Sequence, residues 1–178
     1  MQHRFFNPEF DQWQRLPIST TLKRAFEIAL AGYHVMWIQD DRNSLNYYKQ
    51  IFTGLCNLED HSIYIGSAAD FQAFSKVPQI FIEEFVKFDD LFSPHPGESW
   101  STVQARIKQA QAIEDFDKFI NQDSYDLLKL ASSRIPLSPE NIQNCLTVAA
   151  TIAKLAGRNS LKTEDIAEAL QYSKPLVK

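Results

Sequence analysis

Cysteine is scarce in this chain: only Cys56 and Cys145 occur, and they form neither a metal-binding spacing nor a disulfide framework. Cys145 falls on the apolar side of a helical pattern, where a buried free thiol is expected. The four histidines, His3, His34, His61 and His95, are scattered, with no HxxxH or HExxH pair to hold a metal, so surface or core positions are expected for them. No G-x-S-x-G elbow occurs, and Cys56 has no histidine in a convincing partner role, which argues against a serine or cysteine hydrolase. No apolar run approaches the length of a membrane span, and residues 1–10 lack the continuous apolar core of a signal peptide. A soluble cytoplasmic protein is the expectation. Repeats and low-complexity tracts are missing as well. The net charge of −4 gives no bulk attraction to nucleic acid or anionic lipid, so neither partner is expected.

What is present is enough apolar material for a real core. The 178 residues are 44% hydrophobic, sufficient for one large domain or two small ones, and the thirteen phenylalanines read as core filling. Ser19 or Thr20 caps a helix predicted over 20–31, with Leu22, Ala25, Phe26, Ala29 and Leu30 inward and Gly32 closing it. Strands are predicted over 34–38, 61–65 and 78–86, with helices over 44–55 and 68–74. Ser93-Pro94-His95-Pro96-Gly97 resists regular structure and divides the chain near residue 96. Beyond it, Ser101 and Gln104 form a capping box, and everything to the C-terminus reads as helix. The tail from 137 to 172, LSPENIQNCLTVAATIAKLAGRNSLKTEDIAEALQY, spells two punctuated helices. Ser138 caps the first, with Pro139 at its first position and Glu140 near the positive end of the dipole. Ile142, Cys145, Leu146, Ala149, Ile152, Ala153 and Ala156 share its inner face, and Gly157 supplies a left-handed stop. Thr163 caps the second, with Ile166, Ala167 and Leu170 inward.

This tail resembles the C-terminal helical lid of the magnesium-chelatase-like AAA+ ATPases of the ComM (YifB) group. Three further segments look like the same family in the same order. Leu22 to His34, LKRAFEIALAGYH, is similar to the family's AKRALEIAAAGGH helix, which leads into the nucleotide-binding strand. Pro96-Gly97-Glu98-Ser99, with Val103, Arg106 and Ile107, resembles the PPPGESSAEIRERV connector. Residues 77–91 lie without a gap on the family's last core strand and its exit. The resemblance implies a reduced P-loop/AAA+-like α/β core over 1–96 with a short sheet, followed by an all-helical lid over 97–178.

The departures bear on function. Continuing from His34 without a gap, the family's GPPGSGKT phosphate loop falls on Asp40-Asp41-Arg42-Asn43-Ser44-Leu45-Asn46-Tyr47. Such a loop needs glycines so that backbone N–H groups surround the phosphates, a lysine for their charge and a hydroxyl for magnesium. Here Asp40 and Leu45 stand for glycines, Asn46 for the lysine and Tyr47 for the hydroxyl residue. Asp40 and Asp41 would repel a triphosphate. No GxxxxGK[ST] occurs elsewhere. The lid arginine of the family's LSAR falls on Glu140, and the arginine of its DRID falls on Lys76, which keeps the charge but loses the planar fork. Ile80-Phe81-Ile82-Glu83-Glu84 is similar to a Walker B strand (LFLDE in the family), although the register to the connector makes it the last core strand with solvated acids.

The resemblance therefore implies a pseudo-ATPase without catalytic residues, cofactor or metal, retaining the parts that make subunit contacts. A protein partner or self-association is expected. The rivals are a divergent ATPase using Glu83 or Glu84 with a rebuilt phosphate site near Arg42 or Lys49, and a DNA-binding accessory of a ComM-like motor. Between Glu83 and Asp126 acids outnumber bases, whereas Lys154, Arg158, Lys162, Lys174 and Lys178 make the tail basic. That polarity could pair one subunit's lid with another's flank.

Overall fold

The computed structural model describes residues 13, 16, 18–39, 45–55, 64–67, 78–83, 98–135 and 137–173. Its elements run α1 (Thr20–Gly32), β1 (Val35–Gln39), α2 (Leu45–Leu55), β2 (Ile65–Ser67), β3 (Gln79–Glu83), α3 (Trp100–Gln111), α4 (Gln122–Arg134), α5 (Pro139–Leu155) and α6 (Thr163–Gln171). The expected helix over 68–74, Cys56, His61 and the 93–97 boundary lie outside the described residues.

The three strands form one parallel sheet in the order β2-β1-β3. Parallel pairing requires crossovers, and α2 supplies the one between β1 and β2. Met36 and Ile38 are buried and pair with Ile65 and Ser67 on one side and with Ile80 and Ile82 on the other. Val35 to Ile38 are all buried, so both faces of β1 are covered, which accounts for its unbroken apolar run. β1 starts after His34, and β2 starts at Ile65, where the apolar pattern of 61–65 places its end.

Helix α1 lies between the sheet and the C-terminal helices, contacting β1 and β3 as well as α3 and α5. Leu22, Ala25, Phe26, Ala29 and Leu30 are buried, as their spacing predicts. Phe26 stacks on Phe52 of α2 at 3.9 Å between ring centroids, and Trp13 meets Trp100 of α3 at 5.0 Å. The aromatic cluster thus runs from α2 through α1 into α3, and one apolar core continues from Trp13 to Tyr172. Phenylalanine is not confined to that core, because Phe119 is 73% exposed.

Several helix ends differ from the sequence reading. Gly32 remains in α1, and the left-handed residue is Tyr33, at φ 55°. Tyrosine carries a steric cost there that glycine would not. Gly32 serves space instead: a Cβ on it would lie 2.1 Å from His34 Nε2 and 2.6 Å from Thr151 Oγ1. The cap of α3 is Ser99, whose hydroxyl accepts from Thr102 N–H, so Ser101 lies inside the first turn and the expected capping box is not formed. Helix α6 begins at Thr163 itself, after Lys162, whose N–H donates to Asp165 Oδ2 at 2.8 Å. Ser138 and Pro139 open α5 as expected. Gly157 has φ 71° and closes α5, with Arg158 N–H returning to the Ala153 carbonyl and Gly157 N–H to that of Lys154. Ala156 and Ala167 are exposed, and Ile142, Leu146 and Leu170 are only partly covered, because the inward stripes are narrower than a full apolar face.

The C-terminal half is not continuous helix either. Between α3 and α4 the chain runs irregularly and joins the α5–α6 turn, with Asp117 N–H donating to the Asn159 carbonyl at 2.7 Å. Among the described residues no helix is long and apolar enough to cross a membrane.

Candidate functional site

The sheet order defines where a ligand would be sought. The chain leaves central β1 for β2 on one side and later returns to β3 on the other, so a topological switch point lies at the carboxyl ends of β1 and β3. Gln39 and Glu83 face each other in register at those ends, and both are exposed. The first turn of α2 begins close by, after residues 40–44.

Asp40, Glu84, Lys76 and Arg42 lie outside the described residues. Leu45 and Tyr47 are half-buried and pack against the apolar core. Burial raises the Tyr47 phenol above its ordinary pKa. Two positions that a phosphate loop would devote to phosphate and magnesium thus carry core-packing side chains. Asn46 is exposed and, with Lys49, Gln50, Thr53 and Gly54, lines a shallow open depression on the outer face of α2. Lys49 Nζ sits over the Tyr64 ring at 5.8 Å. Tyr64 stands at the amino end of the sheet, where its carbonyl accepts from Met36 N–H, so Lys49 reaches away from the switch point. Glu140 is exposed in the first turn of α5. Among the described residues no group of three His, Cys, Asp or Glu is placed to hold a metal ion.

The densest polar constellation lies elsewhere, between α1 and the C-terminal helices. Arg24 bonds Glu27 and Glu168 of α6, each at 2.8 Å. Glu27, only 4% exposed, also accepts from Arg106 of α3, which forks onto Glu98. The result is a chain of alternating charge, Glu168–Arg24–Glu27–Arg106–Glu98. Burial opposes the charge on Arg24, but hydrogen bonds to Glu168 and Glu27 outweigh it and raise its pKa. The Arg106 pKa is raised by its hydrogen bond to Glu98, and Arg106 in turn holds the Glu98 carboxyl below its usual range. In the sequence Arg24, Glu27, Glu98 and Arg106 belong to two separate motifs, and nothing in either motif says that they meet. The i,i+3 pair of Arg24 and Glu27 is the one available signal.

A second polar link is buried. His34, 1% exposed, lies 2.9 Å from Thr151 Oγ1 of α5 through Nε2. The Thr151 hydroxyl donates to the Thr147 carbonyl, so it accepts from Nε2–H and leaves Nδ1 as a bare acceptor. Burial lowers the His34 pKa to about 4. Above pH ~6.5 the ring is neutral in both the folded and the unfolded chain and adds no pH dependence. Between about 6.5 and about 4 the unfolded chain takes up a proton that the folded chain refuses, so stability falls with pH, by about 3 kcal/mol in all. Urea titrations across this window should show that loss in the parent and a much flatter profile in His34→Gln. Equal profiles would remove His34 as its origin.

The described basic residues of the tail are engaged within the helical domain. Arg158 bonds Asp165, Lys154 donates to the Ile113 carbonyl and sits over the Phe116 ring, and Lys162 lies 3.6 Å from Glu164. Lys174 and Lys178 lie outside the described residues. Cys145 is buried, and burial pushes its thiol up to about 11, as expected for an inert core cysteine.

A small parallel sheet followed by four helices, joined through α1, is the architecture that any assignment must fit. Residues 100–173 match the family model described as magnesium chelatase, subunit ChlI C-terminal. This segment, which spans α3 to α6 and fewer than half of the 178 residues, is a magnesium-chelatase-like C-terminal domain and relates the chain to the magnesium-chelatase/AAA+ family. No curated protein matches the chain at a significant level.

Proposed function

We propose that this chain is a degenerate ComM-type relative of the magnesium-chelatase-like AAA+ ATPases with a shrunken core, one that neither binds ATP productively nor hydrolyses it. On this reading it is a protein-binding or regulatory module, docking on an intact relative or on itself. The observation that carries the reading is the make-up of the segment after β1. At the end of the strand where a phosphate loop belongs, the sequence offers Asp40 and Asp41, no lysine and no glycine. Leu45 and Tyr47 are committed to packing. Backbone N–H groups cannot wrap a phosphate without small residues, and two carboxylates oppose its charge. Lys49, the cation nearest in sequence among the described residues, is directed over Tyr64. Retention of the connector and helical domain beside these losses supports a role in contacts rather than turnover.

Calorimetric titration of the full chain with Mg-ATP and with Mg-ADP should give no binding heat up to millimolar nucleotide. Micromolar binding would overturn the reading in favour of a rebuilt phosphate site. The protein-contact half is tested separately by sedimentation and pull-down, and it loses its support if neither self-association nor a partner is found.

A further inference from the structure

We propose that the helical domain is latched to the sheet edge and moves with it as one body, rather than opening and closing over the front of the molecule. Among the described residues, strand β3 is an edge strand, with β1 on one side only. An edge presents outward N–H and C=O groups on every second residue, and these need cover. At Gln79 the cover is the Asn144 side chain of α5: its Oδ1 accepts from the Gln79 N–H, and its Nδ2 donates to the Gln79 carbonyl at 2.7 Å. One amide thereby imitates the paired bonds of a neighbouring strand. At Phe81, two residues on, the outward N–H donates to the Tyr172 carbonyl, just past α6, at 2.9 Å. Two successive outward positions of the edge are thus paired by the helical domain.

Three further links cross the same boundary. The charge chain ties Arg24 and Glu27 of α1 to Glu168 and Arg106. His34 bonds Thr151, and Gln111 Nε2 donates to the Leu30 carbonyl at 3.0 Å. A hinged lid would have to break all of these in one motion, taking Asn144 from the Gln79 backbone and Arg106 from the Glu27 carboxylate, and losses at such sites are costly. A binding partner would then meet a preformed surface built from both halves. The inference concerns motion alone and does not depend on whether nucleotide binds.

Native-state hydrogen exchange on the full chain tests it. The amides of Phe81, Ala149 and Ile152 should exchange through the same opening, with the same urea dependence, as those of Met36 and Ile38 in β1. Asn144→Ala should speed Gln79 amide exchange about tenfold or more through loss of its acceptor. Asn144→Gln, which keeps the amide but displaces it, should fall between the two. If α5 and α6 exchange through a lower-energy opening that leaves β1 protected, the helical domain moves independently and the latch is refuted. Unchanged Gln79 exchange in Asn144→Ala would refute it as well.

Discussion

Gly32→Ala is expected to destabilise the protein by about 3 kcal/mol, although alanine is the better helix former by about 1 kcal/mol. The new Cβ would lie 2.1 Å from His34 Nε2 and 2.6 Å from Thr151 Oγ1, closer than such atoms approach. His34 cannot swing into solvent, because it is enclosed on all sides. Any retreat of the ring breaks its bond to Thr151 and strands a buried donor, adding about 1–3 kcal/mol to an overpacking cost of similar size. Urea denaturation with an unchanged m-value reads this directly. A neutral or stabilising Gly32→Ala would mean that the ring and α5 yield easily, and that the close approach does not govern this helix end.

Glu27→Gln should cost about 2–3 kcal/mol, because Glu27 is the central carboxylate between two guanidinium groups and is almost wholly buried. The amide keeps the shape but turns an NH2 toward cations that need an acceptor. Arg24 and Arg106 retain Glu168 and Glu98, which limits the loss. Glu98→Gln is the informative control: that side chain is half exposed and should cost well under about 1 kcal/mol. High salt should weaken the Glu98 effect more than the Glu27 effect, since screening reaches the exposed pair first. Equal costs at the two positions would show that the network has no centre.

The helical domain was the most legible part of the chain because its signals are local. Ser138, Pro139 and Gly157 each act within one turn of where they stand, and each does in the structure what its chemistry dictates. The ends of α1 and α3 were less legible for a different reason. Gly32 is required by a side chain two residues on and by another in α5, so its role is tertiary. Ser99 outcompeted Ser101 because the helix starts at Trp100, whose ring is drawn into the aromatic cluster of Trp13 and Phe26. At the proposed site the sequence shows only what is missing, since Leu45 and Tyr47 offer neither the space of a glycine nor an aliphatic hydroxyl, and their packing role needs the fold. Asn144 could not have been singled out at all. An asparagine in a helix gives no sign that it will serve as a substitute strand, and its partner is a backbone group far away in sequence.

That separation has a consequence for biosynthesis. Asn144 lies 65 residues after Gln79, so a ribosome working at about 5–20 residues per second leaves the β3 edge uncovered for several seconds. During that interval the nascent front half exposes unpaired strand groups and the apolar side of α1, the two surfaces most prone to wrong pairing. The emerging chain is therefore most in need of a chaperone midway through its synthesis, and that need ends only when α5 and α6 have been made.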